Sequence, residues 1–120
     1  MGDFTVIIVR FRPPSRRVPG ALYVSISEGI VWRDCAWASV DGVARRLLIA
    51  LGARAGAVLH REELIDLIWG DDPSGGPDVA DRSLWSAIYR LRFACVALGL
   101  VLSTHGGRGF SLRALQREVV

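Results

Sequence analysis

Near residue 41 the spacing of apolar residues changes from every second position to every third or fourth. This change restricts the chain to mixed folds in which a sheet precedes helices. Residues 4–11, FTVIIVRF, form a β-branched apolar run that stops at RPPSRR. Pro13, Pro14, Pro19 and Gly20 block its continuation. Residues 21–27, ALYVSIS, alternate apolar and polar. Residues 30–40, IVWRDCAWASV, read as two short strands about a turn at Arg33–Asp34, with Trp32 and Trp37 packing in the sheet. The first third is thus a small antiparallel sheet.

From residue 41 onward the period is helical. Val43, Leu47 and Leu51, with Leu48 and Ala50, mark a first helix that Asp41 caps and Gly56 stops. A short link, AVL, leads to HREELIDLIWG, whose buried stripe is Leu64, Leu67 and Ile68, closed by Trp69 in the core. Residues 70–77, GDDPSGGP, are loop by composition. A third helix runs from Asp78 or Asp81 to Leu98, with Leu84, Ile88, Leu91, Cys95 and Leu98 inward and Gly99 as its end. The last stretch, LVLSTHGGRGFSLRAL, has β-prone arms around Gly106, Gly107 and Gly109, a hairpin pattern.

Charge is distributed unevenly along this frame. The net charge is only +3, and all fifteen basic residues are arginine. Residues 62–81 hold seven acids and no arginine, whereas residues 82–117 hold six arginines and no acid. Segregation of this kind gives one surface a positive potential suited to a polyanion. Within RSLWSAIYRLR, residues 82–92, placing Ile88 inward leaves Arg82, Ser86, Tyr89 and Arg90 on the open face, with Phe93 one turn on. Arginine can fork onto guanine, and the aromatics can press on sugar or a thymine methyl. A carboxylate there would repel the phosphate backbone.

Other classes of function find little support. Hydrophobic residues are 51% and charged residues 22%, a globular composition. No apolar run reaches the ~18–20 residues of a membrane span. MGDFTVIIVRFRPP has the wrong pattern for a signal peptide, and Val6 occupies the Ser/Thr position of a myristoylation signal, so a cytoplasmic location is expected. Cys35 and Cys95 form no CxxC, and Cys95 reads as a buried free thiol. His60 and His105 lack neighbouring ligands, so no metal and no cofactor is expected. GGRGF lacks the Lys-Ser/Thr of a phosphate loop, HREEL is not HExxH, and no Ser-His-Asp set is placed; an enzyme is not expected.

Three helices followed by a hairpin are the winged variant of the helix-turn-helix plan, in an α+β fold. Residues 41–113 resemble the DNA-binding output domain of OmpR/PhoB-type response regulators. The resemblance rests on Leu47, Leu48 and Leu51, on REELIDLIWG (Arg61 to Gly70), on DRSLWSAIYRLR (Asp81 to Arg92) and on STHGGRGFSL (Ser103 to Leu112). It implies three parts: an N-terminal strand and basic arm over residues 1–20, a winged-helix domain over 21–113, and a tail over 114–120. It also implies a recognition helix over about 78–98 in the major groove and a wing over 101–113 on the flanking backbone or minor groove. Ser86, Ala87 and Arg90 fall where the family touches bases and phosphates. Arg82, Tyr89 and Arg92 fall where it contacts the backbone or braces the helix, and Thr104 matches the hairpin threonine that touches a phosphate. Phe93 and Arg108 complete the expected DNA-binding set. The loop 70–81 corresponds to the segment that relatives offer to RNA polymerase.

This chain departs from the family's pattern in several places. Ala87 stands where histidine is usual, Trp85 replaces a common acid, His60 occupies a cap position usually held by serine, and Arg108 is displaced into the hairpin turn. No upstream segment has the length or acidic pocket of a receiver domain, so an attached phospho-switch is not expected. Double-stranded DNA is the expected partner, met by a homodimer or by tandem copies on repeats, with the apolar run 4–11 as a surface for assembly. A second class stays open: an interaction module of the same fold that binds RNA polymerase or another regulator through Trp85, Tyr89 and Phe93. Arg92 fits either a phosphate or an ion pair with Glu62, Glu63 or Asp66. Arg10, Arg12, Arg16 and Arg17 fit either a solvated arm or one that contacts DNA.

Overall fold

The structure is a computed structural model that describes residues 4–40, 42–72, 80–106 and 109–115. Four strands open the chain: β1 (Val6–Val9), β2 (Leu22–Ser25), β3 (Ile30–Arg33) and β4 (Ala36–Ser39). Then come α1 (Gly42–Ala53), β5 (Leu59–His60), α2 (Arg61–Trp69), α3 (Ala80–Leu98), β6 (Leu100–His105) and β7 (Gly109–Ala114). The order expected from the change of period is the order found, and the fold is a winged helix-turn-helix.

Two features of the sheets differ from expectation. The first sheet runs β1-β2-β3-β4, but β1 pairs with β2 in parallel, Val6 opposite Leu22, so the sheet is mixed. Residues 6–9 are therefore an edge strand of this sheet. The physical cause is the Pro-rich link, residues 10–21, which is long enough to carry the chain back to the starting end of the sheet, as parallel pairing requires. The second sheet has three strands, order β5-β7-β6, because part of the link AVL pairs with the hairpin, Leu59 opposite Phe110.

A single core lies between the sheets and the helices. Leu22, Val24 and Val31 come from the first sheet, Leu47, Leu48 and Leu51 from α1, and Leu64 and Trp69 from α2. From α3 it takes Leu84, Ile88, Leu91, Cys95 and Leu98, all as their spacing predicts, and from the wing Phe110 and Leu112. Leu67 departs from its expected place in the buried stripe: it is 54% exposed, because α2 packs along the narrow line of Leu64 and Ile68. Asp41, the expected cap of α1, lies outside the described residues. At α2 the Glu63 carboxylate accepts from the His60 backbone N–H at 3.2 Å, which ties the first turn of the helix back onto the residue before it. Gly99 ends α3 at a φ of 69°. No described helix is long and apolar enough to cross a membrane.

Candidate nucleic-acid interface

The open face of α3 follows from its core face. With Leu84, Ile88, Leu91 and Cys95 buried, Arg82, Ser86, Tyr89, Arg90 and Phe93 are all exposed, as the helical wheel requires. Tyr89 and Phe93 are each 65% exposed, and their rings meet edge to face at 5.2 Å and 84°. The pair holds one aromatic ledge one turn long beside Arg90.

Ala87, which the family motif sets among the contact positions, is fully buried, because it shares the inward stripe with Leu84, Ile88 and Leu91. Its position relative to the motif points outward; the rotation of the helix on its core turns its methyl inward.

Arg92 makes a contact that the sequence did not suggest. Its guanidinium donates to the Thr104 hydroxyl, so two expected phosphate ligands, one on the helix and one on the wing, are joined to each other. Glu63, one of its three expected acidic partners, faces Arg54, with 3.7 Å between the charged atoms. A second contact ties the same two elements: Trp85 meets Phe110 edge to face at 5.2 Å, and Phe110 is fully buried. One polar and one aromatic contact thus add to the shared core in holding wing and helix together. In the wing, His105 Nε2 and Ser111 Oγ lie 2.8 Å apart, a hydrogen bond across the hairpin. Arg108 lies outside the described residues, as do residues 73–79 of the loop over 70–81.

Cys95 lies beneath this face. Burial pushes its thiol up to about 12, against a smaller opposing pull from the Arg92 guanidinium, so it is a neutral, inert group at ordinary pH. Among the described residues no cluster of three His, Cys, Asp or Glu could hold a metal ion.

The family model described as "Transcriptional regulatory protein, C terminal" matches residues 40–112, more than half of the chain. The chain belongs to this family. It is an OmpR/PhoB-type DNA-binding domain of a transcription regulator, and the family is not one of enzymes. Two solved structures share the winged-helix fold. The C-terminal domain of the nisin resistance regulator NsrR, a lantibiotic response regulator, is similar at 21% identity and a TM-score of 0.64, over 78% of this chain and 93% of that one. The DNA-binding domain of E. coli CadC is similar at 23% identity and a TM-score of 0.55, over 82% of this chain and 90% of that one. No curated protein matches the sequence. In this family member, sequence reasoning missed Val96, which is 81% exposed and extends the aromatic ledge by a further turn. Its i+3 spacing from Phe93 was the available signal.

Proposed function

We propose that α3 lies in the major groove of double-stranded DNA and that the wing contacts the flanking backbone. The observation that carries this reading is the exposed face of Arg82, Ser86, Tyr89 and Arg90, with no acid between residues 82 and 117, joined to the wing through Arg92 and Thr104. Arg90 reads a base edge, Ser86 and Arg82 take phosphates, and Tyr89 and Phe93 press on sugar or a thymine methyl. A module of this size covers on the order of 600–1,000 Å² of its own surface on DNA, which favours two copies on repeated half-sites. The β1 edge strand is a surface available for such assembly.

Selection of bound duplexes from a random pool tests this. Enrichment of a repeated motif is expected. Arg90→Ala should then weaken the selected site by about 1–3 kcal/mol and relax base preference at one position. An unchanged binding profile rules out the groove assignment. The exposure of Phe93 and Val96 favours a second reading, a protein-binding face on the C-terminal half of α3. Absence of a duplex shift, together with binding that is flat with salt, selects that reading.

A further inference from the structure

The outer face of the first sheet carries a second cluster of aromatic and cationic side chains. Leu22 and Val24 of β2 point into the core, so Tyr23 between them points out. The register sets Ile7, Tyr23, Trp32 and Trp37 opposite one another, one row across all four strands. The parallel pairing of β1 with β2 obliges residues 10–21 to cross the sheet, and they cross on this face. The Val18 N–H donates to the Tyr23 hydroxyl at 2.9 Å, and the Ser27 hydroxyl donates to the Arg10 carbonyl at 2.5 Å. The crossover covers Tyr23 and stops short of the far end of the row. Trp32 is half-buried there, and Trp37 is 60% exposed with no described ring against it.

Between the crossover and the two indoles is a cleft of about 350 Å³, lined by Arg12, Pro13, Arg17, Glu28, Trp32 and Trp37. The Arg17 guanidinium is steadied by a bond of 2.8 Å to the Asp34 carbonyl, which leaves it further N–H donors. Arg12 and Glu28 approach only to 3.8 Å, in solvent. Arg10 and Arg16 are exposed on the same crossover. The cleft itself sets two arginines against one glutamate, with two more arginines nearby on the crossover, a balance that favours an anionic ligand over a cationic one. An open indole beside guanidinium groups suits a flat ring that carries an anion.

We propose that this cleft binds single-stranded nucleic acid, with one base stacked on Trp37 and the adjoining phosphates on Arg12 and Arg17. The volume is at the lower end of small-ligand sites, about 300–1,000 Å³, which fits one nucleotide. Stacking needs an unpaired base, because the faces of paired bases are covered by their neighbours. Flat aromatics beside a basic track are how proteins hold single strands without reading sequence.

The test titrates the whole 120-residue chain with oligothymidylate and oligouridylate of about twelve nucleotides, a length within known site sizes. Thymidine monophosphate is titrated in parallel, and tryptophan fluorescence is followed. Saturable quenching that weakens with salt is expected with at least one strand, and the two strands separate DNA from RNA. Trp37→Ala should weaken binding about tenfold, Trp37→Phe should restore part of it, and Arg12→Glu should also weaken it. Circular dichroism verifies that each variant is folded. Arg90→Ala should leave strand binding unchanged, and Trp37→Ala should leave duplex binding unchanged, so this proposal and the groove assignment fail separately. The proposal is overturned by absence of quenching with both strands, by wild-type affinity in folded Trp37→Ala, by strand binding that falls with Arg90→Ala, or by equal affinity for the mononucleotide.

Discussion

Burial sets the chemistry of Cys95, and the consequence is measurable. A thiol whose folded value is raised to about 12, from 9.0 when unfolded, holds its proton in the folded chain over a range where the unfolded chain has lost it. The folded state then binds more protons, so its stability falls as pH rises through that range. Chemical denaturation from pH 8.5 upward should show stability declining from about pH 9, and Cys95→Ala should lack that share of the decline. Equal slopes in the two proteins would assign the decline to other groups. The burial of Cys95 was legible in the sequence because its spacing from Leu84, Ile88 and Leu91 is strictly helical. The burial of Ala87 follows from the same wheel, yet matching to a family motif pointed outward. At single residues, helical phase is the better guide, because it is set by the core that the helix must cover.

Helix α3 has no basic residue in its last turn, and the group that satisfies its end comes from another element. Arg33 of β3 donates to the carbonyls of Leu98 at 3.0 Å and Gly99 at 3.2 Å, while its Nε–H donates to Gly20 at 2.9 Å. One side chain thus joins the first sheet, the crossover and the end of α3. Arg33→Ala should cost about 1–3 kcal/mol in denaturant unfolding, and Arg33→Lys should restore only part, since an ammonium cannot span three carbonyls in a plane. Gly109 has a comparable role in the wing. A Cβ there would come within 2.8 Å of the Leu59 carbonyl oxygen and 2.8 Å of a Val58 methyl, so β5 can pair with β7 only if this side chain is absent. Gly109→Ala should destabilise the fold by about 1–3 kcal/mol; a neutral result would mean that β5 is dispensable. Neither β5 nor the parallel pairing of β1 was legible beforehand. Two residues are too short to show a period, and strand direction is decided by where the crossover returns the chain. Helices and hairpin were legible because their signals are local.

At the scale of the whole molecule, acid and arginine are unevenly shared between elements: α2 carries exposed Glu62, Glu63 and Asp66 against Arg61, while α3 carries exposed Arg82, Arg90 and Arg92 with Asp81 near its start. The net charge of +3 therefore understates the field at the proposed groove face. Duplex affinity should fall linearly with the logarithm of salt concentration, and each lost phosphate contact should lower the slope by about 0.9. Arg92 provides a sharper test, since it already holds Thr104. If the two bind phosphates independently, the losses from Arg92→Ala and Thr104→Val add in the double variant. The bond between them predicts otherwise. A hydroxyl that accepts from Arg92 turns its own hydrogen outward, toward a phosphate oxygen, so each residue aims the other. Losing either one should misplace its partner. The double variant should then lose less than the sum of the single losses, with a coupling of about 0.5–3 kcal/mol in duplex affinity. Arg92→Ala should lower the salt slope by about one, and Thr104→Val, which removes no charge, should leave most of it while still weakening binding. Additive losses would mean that helix and wing meet the duplex as separate parts, and that the shared core and the Trp85–Phe110 contact set the angle between them without the Arg92–Thr104 bond.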